Sequence, residues 1–465
     1  TYFVYAKEGD SRISYNCLFN IVEVAKLSSS NLSLVCAGDA FISRRLSVFA
    51  DKRLSYIINV IRGADVAFVN LETTIHRFEG YPIGEGKSDA YAQAEPYVAD
   101  ELKWAGFDLV SRANNHSMDY STEGMAATTR NLERVGLIHT GAGMNLEEAR
   151  EAAYLETPKG IVSLVSASTY NLGVASHTRS NLRGRPGINP LRLETVYDLD
   201  PESFKALREV ANKFGIGLPR GSEEVKEFTF PTREGMFRLA EETKLVRTVN
   251  EFDFKGNIKA VEDAKKLSDW VIFSLHDHAS ASKGSEGFKP REFAPEPIEE
   301  FAHACVDAGA DAFVGHGPHV LRGIEVYKGK PIFYSLGNFV FQSTLITRQP
   351  SDLFERWGLG KEASTADLYE KREAPPAHFF DEPDYWQSVI AEVIYKDKKL
   401  EQLKLHPITL DYDATRPLKE QRTKAGIPRL ADETLGRKII EHLNRLSARY
   451  GTEIECKAGV GIVQL

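Results

Sequence analysis

Five short polar signatures punctuate this 465-residue chain, and their side chains are carboxylates, amides and imidazoles. They are Gly38-Asp39, Asn70-Leu71-Glu72, Asn114-Asn115-His116, His276-Asp277-His278 and Gly315-His316-Gly317-Pro318-His319. Carboxylate oxygen, amide oxygen and imidazole nitrogen are donors that hold divalent cations. A single residue of this kind is commonly a turn or a cap. Several clusters in one chain make metal-assisted catalysis the chemistry to consider first.

Asp39 follows Gly38, whose missing Cβ would let the backbone turn sharply and project the carboxylate into a cleft. Glu72 closes an apolar run, and Asn70 is placed to orient it. Asn114, Asn115 and His116 are poor strand and helix formers in a row. There an amide oxygen can bind a metal, and His116 can serve as acid or base with Asp119 orienting its ring. His276 and His278 lie two apart, so an extended backbone points both to one side. His316 and His319 flank Gly317-Pro318, a turn that can bring both rings to one ion or to two adjacent ions. Mixed oxygen and nitrogen donors favour Mn, Fe or Zn over Ca or Mg.

Each signature follows a short apolar run: LSLVCA, DVAFV, FDLVSRA, DWVIFSL and ADAFV. These read as buried strands. Helical patterns cover 55–63, 95–107, 123–136 and 296–310, with Gly106, Gly136 and Gly309 placed as helix-ending glycines. The recurring helix, glycine, strand and polar signature predicts a largely parallel α/β core with right-handed crossovers. Ligands of such folds gather beyond the carboxyl ends of the strands.

Residues 1–30 read as a lead-in segment, 31–430 as one catalytic domain, and 431–465 as a helix and strand packed on that domain. Within the domain, 171–250 reads as an insertion of surface loops and short helices. The irregular stretch 343–385 carries Phe354, Trp357, Phe379, Phe380 and Tyr385, and long loops of this kind are often lids or binding loops. A β-hairpin follows, with its turn at Lys396-Asp397-Lys398-Lys399.

The net charge of −8 argues against a nucleic-acid partner, which usually requires a basic footprint. No apolar run is long enough for a membrane span. The cysteines Cys17, Cys36, Cys305 and Cys456 form no CxxC pair. They read as reduced thiols, which makes a cytoplasmic location the default expectation. The first ten residues do not resemble a signal peptide; an extracytoplasmic location follows if an export signal has been removed ahead of Thr1.

The ordered set of segments LVCAGDAFISRR, ADVAFVNLETTI, AGFDLVSRANNHSMDY, VIFSLHDH and DAGADAFVGHGPHVLRGIEVYKGKPIFYSLGNFVF resembles the poly-gamma-glutamate capsule biosynthesis (CapA) family. That family resembles a branch of the calcineurin-like metallophosphoesterase superfamily. The resemblance implies a four-layer α-β-β-α sandwich with insertions and one or two divalent ions. One ion would be held by Glu72, Asn115, His276 and His316, and a second by Asp39, Glu72 and His319. His116, Asp119 and His278 would carry catalysis, and Asn70, Asn114, Arg44 and Trp357 would contact substrate. Two departures stand out: Phe41 occupies a place where the superfamily usually has histidine, and His276-Asp277-His278 stands where the family often reads His-Trp-Gly.

The leading functional expectation is metal-dependent hydrolysis of a peptide-like or phosphorylated small substrate. A second expectation is a peptide epimerase resembling those of lasso-peptide pathways, and a third is a non-catalytic envelope or capsule assembly component. The oligomeric state is left open.

Overall fold

The computed structural model describes residues 30–83, 90–215, 227–229, 235–281, 287–373, 382–413, 415–416, 419–420 and 424–465. The expected lead-in at 1–29 lies outside these residues, as do parts of the insertion and the 374–381 part of the irregular stretch with Phe379 and Phe380.

The apolar runs are continuous because their strands are buried on both faces. In the strand Leu32–Phe41, Leu32, Leu34 and Cys36 face one core while Val35 and Ala37 face another. The strand Val66–Leu71 repeats the alternation, with Val66 and Phe68 on one side and Ala67, Val69 and Leu71 on the other. Trp270 and Ile272 of the strand Trp270–His276 share the first core, whereas Val271, Phe273 and Leu275 belong to a third. Three cores of this kind separate four layers.

Among the described residues, two large sheets form the middle layers. In the ten-stranded sheet, Leu32–Phe41, Val66–Leu71, Leu109–Ser111 and Ile138–Thr140 lie side by side and parallel. Asn338–Phe341 also runs parallel to the end of Leu32–Phe41. The hairpin Gln387–Lys396 and Lys399–Thr409 then extends the sheet antiparallel. Its turn residues Asp397 and Lys398 take φ of 50° and 63°. The six-stranded sheet has a parallel centre of Gly160–Ser168, Trp270–His276, Ala312–His316 and Lys330–Leu336, flanked by antiparallel edge strands. The core is therefore mixed rather than largely parallel.

Helices cover the outer faces. The helix Lys52–Gly63 is capped by Asp51, which accepts from the Arg53 and Leu54 amides, and buries Leu54, Ile57, Ile58 and Ile61 on one stripe. It packs on the ten-stranded sheet with Tyr97–Ala105 and Leu132 of Ser121–Arg134. Glu251–Leu267 and Glu296–Asp307 cover the six-stranded sheet. This is the expected four-layer α-β-β-α sandwich. Glu433–Ser447 buries Ile439, Ile440, Leu443 and Leu446 in the core between the sheets. Among the described residues, no helix is long and apolar enough to cross a membrane.

The insertion departs from the expectation of loops and short helices. It builds a four-stranded sheet of Glu227–Thr229, Met236–Leu239, Leu193–Leu199 and Lys244–Val249, with a 13-residue helix, Pro201–Lys213. The described side chains of these strands are mostly half-buried, so no continuous apolar run announced them.

Candidate functional site

Strand pairing brings the signatures together. In the ten-stranded sheet Asp39 pairs in register with Asn70 and Asn338, and Asn70 with Ser111. In the facing sheet His276 pairs with His316. The last residues of parallel strands in both sheets thus meet at one edge. Gly38 is needed for approach rather than for a turn: a Cβ there would lie 1.9 Å from the Gly337 carbonyl oxygen, and the strand runs on to Phe41. His319 sits in the turn after His316 with φ of 60°.

Asp39, Glu72, His276 and His316 are completely buried. The His316 Nδ1 lies 3.3 Å and the His276 Nδ1 3.6 Å from Asp39 Oδ1. The His319 Nδ1 is 3.7 Å from Asp39 Oδ2, and its Nε2 is 3.6 Å from Glu72 Oε1. His276 Nε2 is 3.7 Å from Glu72 Oε1 and 2.9 Å from the Nε2 of the exposed His278. Three donor groups result, each with its atoms within 4.8 Å of one another: Asp39, His276 and His316; Glu72, His276 and His278; and Asp39, Glu72 and His319. The last of these is the expected second set, whereas the expected first set is divided, with His316 against Asp39. The reason is the way the two sheets face each other, which brings His316 at the end of Ala312–His316 against Asp39.

Neighbouring bonds fix these rings. Asn338 Oδ1 lies 2.8 Å from His319 Nδ1, leaving Nε2 toward Glu72. Ser274 Oγ lies 2.7 Å from His316 Nε2. Asn70 donates to Asp39 Oδ1 at 2.8 Å, and Asn114 donates to Asn70 Oδ1 at 3.2 Å and to the Leu71 carbonyl at 2.7 Å. Asn70 therefore orients Asp39, not Glu72. Both amides are buried and committed to these internal bonds, so neither is displayed to a substrate. Arg322 and Thr169 hold the two oxygens of Asp277 at 2.8 Å each, which anchors the turn between His276 and His278. Asn338, Ser274 and Arg322 were missed in the sequence. Asn338 was accessible by the same rule as the ligands, since it follows an apolar run in YSLGN.

The electrostatics are those of an electron-rich pocket. Burial works to raise the Asp39 pKa, but hydrogen bonds and charge from His276 and His316 hold it well below the carboxylate range. Glu72 is pushed well above that range by burial and then by the charges of Asp39 and Asp119. Burial lowers His276 to about 4 and also lowers His319.

The donor set fits a divalent cation. Glu72 Oε1 and Oε2 and Asn115 Oδ1 are buried without a hydrogen-bond partner among the described residues, a costly arrangement for oxygens unless a cation meets them. His276 also faces imidazole nitrogens on both sides, His316 Nδ1 at 3.0 Å and His278 Nε2 at 2.9 Å.

His116 lies beside this cluster with its Nδ1 2.7 Å from Asp119 Oδ2. The ring of Phe41 packs edge-on against it, centroids 5.2 Å apart. The residue that replaces the usual histidine thus wedges the candidate acid–base ring. Arg44 is exposed and lines two clefts of about 400 and 440 Å³ near Gln342 and Thr347. Trp357 is half-buried at the end of the helix Ser351–Arg356.

Comparison with known proteins places this chain in a family. A Sinorhizobium fredii protein named "Uncharacterized protein y4sH" is 34% identical over 446 residues, covering 93% of each chain. The "PGA biosynthesis protein CapA" of Bacillus subtilis is 26% identical over 366 residues, 76% of each chain. A Mycobacterium tuberculosis protein named "Probable polyglutamine synthesis accessory protein" is 27% identical over 277 residues, 59% of this chain and 55% of its own. The family model described as bacterial capsule synthesis protein PGA_cap matches residues 33–343, a span that holds every residue of the cluster, and the chain belongs to that family.

Proposed function

We propose that this protein is a metal-dependent hydrolase of the CapA type, acting on a phosphoester or on a peptide-like, poly-gamma-glutamate substrate. The observation that carries the reading is the cluster of buried Asp39, Glu72, His276 and His316 with half-buried His319, whose Glu72 oxygens lack hydrogen-bond partners among the described residues, beside the bonded pair His116 and Asp119. Glu72 would hold a divalent ion together with Asp39 and His319, or together with His276 and His278. Asn115 supplies a neutral oxygen and His316 a further nitrogen. A divalent ion held there, Mn, Fe or Zn, supplies Lewis acidity toward the scissile group and acidifies water. His116 exchanges the proton of the leaving group or of water, while Asp119 holds its tautomer. Asn70 and Asn338 keep the ligand rings and carboxylates in place. Arg44 and Trp357 are proposed substrate contacts, and the exposed His278 stands where a substrate would arrive.

The test is to measure metal content by elemental analysis and product masses with p-nitrophenyl phosphate and a γ-glutamyl peptide. Hydrolysis adds the mass of water across the products. Unchanged mass in ordinary water, together with deuterium uptake in heavy water, would replace the reading with an epimerase. A filled site without turnover on either substrate class would favour a non-catalytic role in capsule assembly. The word accessory in the name of the Mycobacterium tuberculosis relative fits that non-catalytic reading as well.

A further inference from the structure

The irregular stretch after Phe341 makes a set of bonds that the proposed chemistry does not use. Gln349 grips the backbone of Tyr91 from both sides. Its Oε1 accepts from the Tyr91 amide at 3.0 Å, and its Nε2 donates to the Tyr91 carbonyl at 3.1 Å. The same Nε2 donates to the Tyr369 hydroxyl at 3.2 Å, and that hydroxyl donates to the Ile346 carbonyl at 2.9 Å. Tyr369 is buried, so the amide of Gln349 is fixed at its base. A second tie runs from the Tyr91 hydroxyl to Asp352 Oδ2 at 3.1 Å.

The next residue along is Ala92, and its amide donates to Asp119 Oδ2 at 2.6 Å. That same oxygen lies 2.7 Å from His116 Nδ1. A continuous line of bonds thus joins Gln349 to the His116 ring through one peptide unit and one carboxylate. We propose that Gln349 is a positioning residue, and that the 346–372 segment acts as a strap holding the Ala92 amide against Asp119 and thereby setting the tautomer and direction of His116.

Among the described residues, the Ala92 amide is the backbone donor to the Asp119 carboxylate, while the Ile83 amide donates to its main-chain carbonyl. A carboxylate with one fixed backbone donor cannot swing, so the ring bonded to it is fixed as well. Asp119 Oδ2, filled by an amide, accepts the ring Nδ1–H and leaves Nε2 as the nitrogen free for proton exchange. A side-chain amide is suited to the clamp because it offers a donor and an acceptor in one plane, matching a backbone N–H and C=O. The inference rests on the reading of His116 as the acid–base group, and its test is separable from that reading.

The experiment uses full-length, zinc-loaded protein with nitrogen-labelled histidine, which keeps the sample diamagnetic. The His116 Nδ1–H resonance is assigned by its loss in His116→Gln. In Gln349→Ala its exchange with water is expected to rise about tenfold, the upper weight of one neutral hydrogen bond, while metal content stays at the wild-type value. Gln349→Glu keeps the acceptor and loses both donations, so it is expected to fall between the two. Turnover, where the wild type shows it, is expected to lose kcat with KM unchanged. An unaltered His116 resonance in Gln349→Ala would overturn the proposal; if that variant does not fold, Gln349→Glu decides on the same resonance. Absence of turnover in the wild type would sink the hydrolase reading and leave the resonance test standing.

Discussion

Replacing His116 and His316 by alanine separates the two roles the site assigns to its imidazoles. His316 is wholly buried, with Nε2 2.7 Å from Ser274 Oγ and Nδ1 3.0 Å from His276 and 3.3 Å from Asp39. His316→Ala removes a donor from the group around Asp39. Removing a partner that merely orients a ligand typically costs 10- to 100-fold in metal affinity, so loss of the ligand itself is expected to exceed about 100-fold. His116 makes its 2.7 Å contact with Asp119, and among the described residues it is not one of the close donor groups. His116→Ala is therefore expected to keep wild-type metal content. Its rate is expected to fall by about 10²–10⁴, the usual worth of general acid–base help. Asp119 retains the Ala92 amide in that variant, which limits the folding cost to roughly 1–3 kcal/mol. The assay is elemental analysis after dialysis against buffered zinc, paired with turnover of p-nitrophenyl phosphate and γ-glutamyl-p-nitroanilide. Equal metal loss in the two variants would make His116 a ligand and refute the division of labour.

Three further changes probe the surroundings. Asn70→Asp places a carboxylate where an amide now donates to Asp39 at 2.8 Å; the chelated protein should lose on the order of 2–4 kcal/mol and regain more on zinc addition than the wild type, and equal melting of the two chelated proteins would count against this. Phe41→His should raise the metal bound per chain at the Asp39 position, at a packing cost because Phe41 is 2% exposed and touches His116 and Phe341; a wild type that already holds two equally tight ions would defeat the argument. His139 is lowered to about 3 by burial and by Arg112. The unfolded chain therefore binds a proton below pH 6.5 that the folded chain refuses, and stability drops as pH falls from 6.5 toward 3, by up to roughly 1.4 kcal/mol per pH unit for each such histidine. His139→Gln should flatten that acid limb in denaturant titrations between pH 6.5 and 4, and an unchanged limb would show that His139 is not a source of it.

Much of the architecture was legible because this fold buries its strands on both faces. LSLVCA and DWVIFSL read as strands since alternate residues enter different cores, and the positive φ of Gly106, Gly136 and Gly309, between 69° and 116°, matches their reading as helix ends. The insertion did not declare its sheet, because LETVYDL and KLVRTV are half-buried to exposed strands with charges among their apolar residues. The hairpin after Trp386 was legible in outline, but not its attachment to the edge of Leu32–Phe41, which makes the sheet mixed.

Residue chemistry alone pointed to side chains that the fold brings together: Asp39, Glu72, His276, His278, His316 and His319 all come from polar signatures that follow apolar runs. Who faces whom was decided only in three dimensions. Register sets Asn70 beside Asp39 instead of Glu72, the meeting of the two sheets sets His316 against Asp39, and the contact with Gly337 explains Gly38. These pairings join residues 31 to about 300 positions apart, and side-chain direction at such separations depends on strand alignment between sheets, where a slip of one residue would turn every ligand to the other face.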